Sequence, residues 1–245
     1  MQRRWMAAVL GLVAVAGCSS APQPSPAPAP AVGRPLSGAL RWMRRSAEYR
    51  ALTRETYAAA TARVEQLAPA MSGAAWGVIL DADETVLDNS MYEVRRAAVD
   101  SAYTEASWSA WVRDTAAGAV PGAVAFTQRV HALGGRVVIV TNRADSLCAP
   151  TRLNLRKVGV MADLVLCQPP GPGDKNPRFE AVERGTASPT LPALDVVAWV
   201  GDNIQDFPRL TQASRADSSA LALFGRRYFV LPNPVYGSWE SDSTP

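Results

Sequence analysis

Five short apolar runs limit the folds open to this chain: Trp76 to Leu80, Arg136 to Val140, Asp163 to Cys167, Val196 to Val200 and Tyr228 to Leu231. Each has strand length, and none shows the polar alternation of a half-exposed strand, so they read as strands buried on both faces of a parallel sheet. Segments 122–133, 149–157 and 176–184, which lie between them, have helical character. Strands alternating with helices are βαβ units and predict an α/β, Rossmann-like open parallel sheet. Upstream, residues 36–67 contain no proline, and Leu40, Met43 and Ala47, then Tyr57, Ala60, Val64 and Leu67, recur at steps of three and four. That period predicts a packing helix or helix pair, with Trp42 and Tyr49 in the core. Residues 88–120, polar with interleaved aromatics, separate the first strand from its first clear helix. They read as a small cap over the sheet edge.

Ligands of open α/β sheets bind at the carboxyl ends of the strands, so the residues following each run are the candidate site. Asp81, Asp83 and Thr85 follow the first, Thr141, Asn142 and Arg143 the second, Lys175 the third, and Gly201, Asp202, Asn203 and Asp206 the fourth. Asp81, Asp83, Asp202 and Asp206 supply the hard oxygen ligands that Mg²⁺ requires. Thr141 and Lys175 supply a hydroxyl and a positive charge for phosphate oxygens. A single strand-end aspartate is more often a cap or turn residue; four at these positions set the pattern apart. Asp88 and Asn89 fit turn chemistry as well as function. Asn142 and Arg143 either brace their loop or reach the substrate, and Asn142 is placed with Thr141 and Lys175 at the phosphate. The single histidine, His131, lies among small and apolar residues of a helix. It reads as structural, which excludes phosphatase chemistry built on histidine.

In order and position, Asp81, Asp83 and Thr85, then Thr141, Lys175, and Gly201 and Asp202 with Asp206, resemble the four motifs of the haloacid dehalogenase phosphotransferase superfamily. The longer strings LDADETVLDNS (80–90), AVPGAVAF (119–126), VTNR (140–143), GDNIQDF (201–207) and FGRRYFVLPNPVYGSWE (224–240) resemble the class C acid phosphatases. These are secreted or lipid-anchored bacterial enzymes that include outer-membrane 5′-nucleotidase lipoproteins. The likeness covers residues 36–240; one departure is Ala82, where a bulkier aliphatic residue is usual. It implies a Mg²⁺-dependent phosphomonoesterase acting on 5′-mononucleotides or nicotinamide mononucleotide. In that scheme Asp81 is the nucleophile and Asp83 the acid–base. The metal is held by the Asp81 side chain, the Asp83 carbonyl and Asp202, with Asp206 either a ligand through water or a support. Aromatic residues matching Trp108 and Tyr236 would line the substrate pocket, whereas Trp111 and Trp239 read as packing. A phosphotransferase and a non-catalytic envelope binding protein are the alternatives; retention of both Asp81 and Asp83 speaks against the second.

The N-terminus carries an address. Arg3 and Arg4 precede an apolar run from Met6 to Ala16, and the segment ends Val15, Ala16, Gly17, Cys18. That run is shorter than the ~20 residues a membrane span needs, and it fits a signal peptide over residues 1–17. Its end resembles a bacterial lipobox, which implies lipidation of Cys18, and Ser19 after it implies an outer-membrane address facing the periplasm. Residues 18–35 hold six of the chain's 19 prolines and read as an extended stalk, followed by the catalytic domain over 36–240 and a tail over 241–245. The net charge of +3 falls to +1 without Arg3 and Arg4, which gives no case for a nucleic-acid partner; an oligomer is left open. Three cysteines are too few for a disulfide scaffold. In the implied fold, however, Cys148 and Cys167 lie near the same edge of neighbouring strands. After export to an oxidising compartment they are expected to form a disulfide.

Overall fold

The computed structural model describes residues 33–241; Cys18, the signal peptide, most of the stalk and all but the first residue of the tail lie outside them. Two helices open the fold, α1 (Gly38–Arg45) and α2 (Ala47–Leu67). Ser46 separates them with an extended backbone, and its hydroxyl accepts the Tyr49 N–H, so one residue ends the first helix and caps the second. There follow β1 (Trp76–Leu80), β2 (Leu87–Asp88), α3 (Ser90–Ala98), α4 (Glu105–Asp114), β3 (Gly118–Ala119), α5 (Ala123–Ala132) and β4 (Arg136–Ala144). The chain continues with α6 (Cys148–Lys157), β5 (Leu164–Gln168), α7 (Asn176–Arg184), β6 (Asp195–Gly201) and β7 (Tyr228–Val230). All five apolar runs are strands of one parallel sheet, ordered β5-β4-β1-β6-β7.

The sheet is buried on both sides, which is why its strands are continuous apolar runs. Along β1 the side chains alternate: Val78 and Leu80 join a cluster with Tyr57, Val64, Phe126 and Ile139, while Ile79 joins another with Val138, Phe179, Trp199 and Phe207. Tyr49 is buried as expected, and its ring meets Trp42 edge-on. From β1 the chain moves outward through β4 to β5, then crosses back to β6 and β7 on the other side. The carboxyl ends of β1 and β6 therefore flank the point where strand order reverses, the place where such sheets bind ligands.

The cap is α3 and α4, rooted in a two-stranded antiparallel ribbon, Leu87 with Ala119 and Asp88 with Gly118. It thus begins one residue earlier than expected. A capping box between Thr104 and Ser107 starts α4. The return strand is fixed to α6, because Asn154 accepts the Ala117 N–H at 3.2 Å and donates to its carbonyl at 2.8 Å. At the opposite, amino edge of the sheet, His131 Nε2 meets Asp163 at 2.7 Å, beside an Arg136–Asp163 ion pair. The lone histidine is structural.

Cys148, at the start of α6, and Cys167, in β5, form a disulfide across a separation of 19 residues. It joins the segment after β4 to the strand beside it. Closing a loop of this length contributes about 3 kcal/mol in the chain-entropy account. Replacing both cysteines by alanine should lower the unfolding free energy by about that amount, measured by urea titration of the oxidised protein against the double variant.

Candidate active site

The loop after β1 begins the site. The Asp81 N–H donates to the Val200 carbonyl at 3.0 Å, which ties the loop to the end of β6. Residues 82–87 then turn back sharply: Val86 and Leu87 both donate to the Ala82 carbonyl, and Glu84 takes a left-handed φ of 50°. Ala82 is fully buried in this turn. α2 supports the loop from behind, where Tyr57 Oη donates to the Thr85 carbonyl at 2.8 Å. The loop after β6 lies opposite. Thr85 Oγ1 donates to Asp202 Oδ1 at 3.1 Å, and Asn233, past β7, donates to Asp202 Oδ2 at 2.8 Å.

Lys175 joins the two loops. It is the residue before α7, and its buried ammonium donates to Asp81 Oδ1 and, at 2.6 Å, to Asp206 Oδ1. The other oxygen of Asp206 accepts the Asn203 N–H at 2.9 Å. Gly201 makes room for this arrangement: a Cβ there would lie 2.3–2.7 Å from the Asp206 side chain. Asp81, Asp202 and Asp206 each offer an oxygen within 4.8 Å of the others.

Such a cluster is short of positive charge. The Asp81 carboxyl is pushed up to about 7, chiefly by burial, with Lys175 opposing and Asp206 and Asp83 adding to the rise. Burial, then Asp206 and Asp81, raise Asp202 well above the carboxylate range. Burial disfavours the Lys175 ammonium, but Asp206 and Asp81 outweigh that and hold its pKa above the ordinary value. One lysine does not balance three carboxylates. The donor set is all oxygen and anionic, which fits a hard divalent cation.

Asp83 is held by a different set of donors. Arg143 Nε donates to its Oδ1 and Oδ2 at 2.9 and 3.2 Å, Arg143 Nη2 to Oδ1 at 2.7 Å, and Asn89 Nδ2 to Oδ1 at 2.8 Å. A small cavity of about 200 Å³ is lined by Asp81, Asp83, Asn142, Lys175, Asp202, Asn203, Gln205, Asp206 and Tyr236. It adjoins a cleft of about 450 Å³ lined by Asp83, Tyr92, Glu93, Tyr103, Trp108, Val235, Tyr236 and Glu240. Asp83 and Tyr236 line both.

Most of the expected residues therefore meet: Asp81, Asp83, Asn142, Lys175, Asp202 and Asp206 at the cavity, with Trp108 and Tyr236 at the cleft. Thr141 does not line the cavity. It is fully buried, its hydroxyl accepts the Arg143 N–H at 3.1 Å, and Arg178 holds its carbonyl at 2.6 Å. Arg178 also holds Asn142 Oδ1, and Asn142 Nδ2 donates to the Gly173 carbonyl at 2.8 Å. Trp111 packs as expected, with Nε1 donating to Asn89 at 2.8 Å. Trp239 does not: it lies in the 3₁₀ turn Ser238–Ser241 and is 46% exposed, with its ring beside Gly237. Asp88 ends β2, and its side chain accepts the Ser90 N–H. Asn89 serves the site by holding Asp83.

Several contributors carried no signal of their own in the sequence. Glu84 is buried, accepts the Asn89 N–H at 2.7 Å and receives the Tyr236 hydroxyl, which anchors the C-terminal segment to the loop after β1. Burial, with Asp83 and Asp202 adding, holds its carboxyl well above the usual range.

A doubly wound sheet with carboxylates at the ends of β1 and β6, and a lysine bridging them, defines a phosphoryl-transfer fold of the haloacid dehalogenase type. The chain belongs to the HAD superfamily, subfamily IIIB (acid phosphatase), whose family model matches residues 30–239. It is similar to the class C acid phosphatase from Bacillus anthracis, with 27% identity, 83% of this chain and 85% of that chain covered, and a TM-score of 0.74. The same enzyme with tungstate bound matches with a TM-score of 0.73 at the same identity and coverage. The chain is thus a phosphomonoester hydrolase with an α/β acid phosphatase fold.

The close approach at Gly201 gives a test of how tightly the site is built. Gly201→Ala displaces Asp206, and with it Lys175. The expected loss in kcat is on the order of 10²-fold, the scale of a misplacement of about 1 Å, with a loss of about 1–3 kcal/mol of stability from overpacking. Steady-state kinetics and thermal melting measure the two.

Proposed function

We propose that the protein hydrolyses 5′-mononucleotides or nicotinamide mononucleotide in two steps through an aspartyl-phosphate on Asp81. The observation that carries this reading is the wall that the two spaces share. The cavity holding Asp81, Lys175, Asp202 and Asp206 has Asp83 and Tyr236 in common with a cleft of aromatic walls. Phosphate sized for the first would leave its ester group in the second.

Asp81 attacks phosphorus, which divides one difficult hydrolysis into two easier displacements. Lys175, already against Asp81, and Asn142, at the cavity wall, hold the transferring oxygens and stabilise their charge. Asp83 lines the path to the cleft, so it protonates the departing ester oxygen, then takes a proton from the water that attacks the aspartyl-phosphate. Asp81, Asp202 and Asp206 are the side chains to hold Mg²⁺, with the Asp83 carbonyl assigned to it by family likeness. When bound, the ion offsets the repulsion between carboxylate and phosphate. The tungstate of the Bacillus anthracis enzyme, an oxyanion, supports a site of this chemistry. Trp108 and Tyr236 would stack on the base or nicotinamide ring. We place the protein at the outer membrane, facing the periplasm, held by lipid on Cys18; labelling with a fatty-acid probe, compared with Cys18→Ser, tests that placement.

Three measurements test the reading. Asp81→Asn should leave less than about 1% of activity with the fold intact, since it keeps the shape and removes the attacking charge. Chelation should abolish phosphate release and Mg²⁺ should restore it; full activity in EDTA would contradict the metal assignment. Trp108→Ala or Tyr236→Ala should raise KM for nucleotides by roughly five- to hundredfold, the equivalent of about 1–3 kcal/mol per stacked ring, with little change for a small alkyl phosphate. Equal changes for both substrates would reduce these rings to packing.

A further inference from the structure

Arg143 is a buried charge that the scheme above does not use. Its side chain is 1% exposed, and its nearest charged partner is Asp83, 20% exposed. The guanidinium grips both Asp83 oxygens, as given above. Nη2 also donates to Asn89 Oδ1 at 3.1 Å and Nη1 to Thr151 Oγ1 at 3.3 Å, while Cζ lies 5.4 Å from the centre of the Trp108 ring. Asn89 in turn accepts Trp111 Nε1. The fork is therefore fixed from three directions: by α6 through Thr151, by the root of the cap through Asn89, and by the cleft through Trp108.

We propose that Arg143 is a positioning residue for departure of the leaving group, one that holds the Asp83 carboxylate at the wall shared by cavity and cleft and ties that orientation to the cap. The proposal rests on the reading of Asp83 as the acid–base. In the step concerned, the bond between phosphorus and the ester oxygen breaks as the bond from Asp81 to phosphorus forms, and the ester oxygen takes its proton from the Asp83 carboxyl. That transfer needs one Asp83 oxygen aimed at the departing atom. A planar fork bonded to both oxygens fixes the rotation of a carboxylate; an ammonium, a point charge with rotatable donors, does not. Once the proton has passed to the ester oxygen, the carboxylate left on Asp83 matches the buried charge of Arg143.

The test compares kcat/KM for an alkyl phosphate, whose leaving oxygen needs a proton, with that for 4-nitrophenyl phosphate, whose leaving group departs without one. Arg143→Lys, Asp83→Asn and the double variant are measured, with Arg143→Gln in place of the lysine variant should that one fail to fold. Positioned proton transfer contributes about 10²–10⁴-fold. Arg143→Lys is accordingly expected to lower the alkyl-to-nitrophenyl ratio by at least roughly tenfold, and in the Asp83→Asn background to change it by less than roughly threefold, because both residues act through one group. An equal loss on both substrates, or the same loss with and without Asp83, would make Arg143 merely structural and overturn the proposal. If Asp83→Asn alone left the alkyl phosphate rate intact, the acid–base reading would fall, and this inference with it.

Discussion

The structure turns on one buried ion cluster, in which the Lys175 ammonium is held between Asp81 and Asp206 with Asp202 beside them. Charges withdrawn from water are tolerated only when paired and hydrogen-bonded, and the fold supplies the partners from distant parts of the chain. β1 delivers Asp81, β6 delivers Asp202 and Asp206, and α7 starts at Lys175. The segment after β7 brings Asn233 to Asp202, and α2 brings Tyr57 to the Thr85 carbonyl. Even so, the carboxylates remain in excess, with Asp81 and Asp202 both pushed up. Three carboxylates around one ammonium leave the site rich in anionic oxygen donors, a set that fits a hard divalent cation.

A second polar network lies beside the first and runs outward. Asp83 stands between them: its backbone belongs to the loop after β1, and its side chain to Arg143 and Asn89. Through Asn89 and Trp111 this network enters the cap, and through Trp108 it borders the aromatic cleft. Glu84 gives the same loop a third attachment, to Tyr236 and so to the C-terminal segment. One turn, residues 82–87, thus connects the phosphate cavity, the cap and the wall of the cleft.

The strands and the facing carboxylates were legible in the sequence because both follow from local rules. A strand buried on both faces must be continuously apolar, as Trp76 to Leu80 is, and strand ends in an open parallel sheet share one edge. The break at Ser46 was less legible, since one serine in a helical pattern is unremarkable until it is seen to cap Tyr49. The partners of Asp83 were not legible. Arg143 lies 60 residues away in sequence, and whether it faces solvent or a carboxylate depends on how β4 docks beside β1. Glu84 and Tyr236, 152 residues apart, are a pair for the same kind of reason. Thr141 and Trp239 depart from expectation because motif position fixes the strand end but not the rotamer or the turn beyond it. Thr141 turns its hydroxyl to a backbone N–H, and Trp239 lies exposed in a 3₁₀ turn.

The central claim is that Asp81 forms a covalent intermediate, which makes hydrolysis two successive in-line displacements at phosphorus. Stereochemistry tests it most directly. With a substrate made chiral at phosphorus by sulfur and oxygen isotopes, hydrolysed in isotopically labelled water, two inversions give net retention of configuration, the result this account predicts. Net inversion would show a single direct attack by water and contradict the role assigned to Asp81.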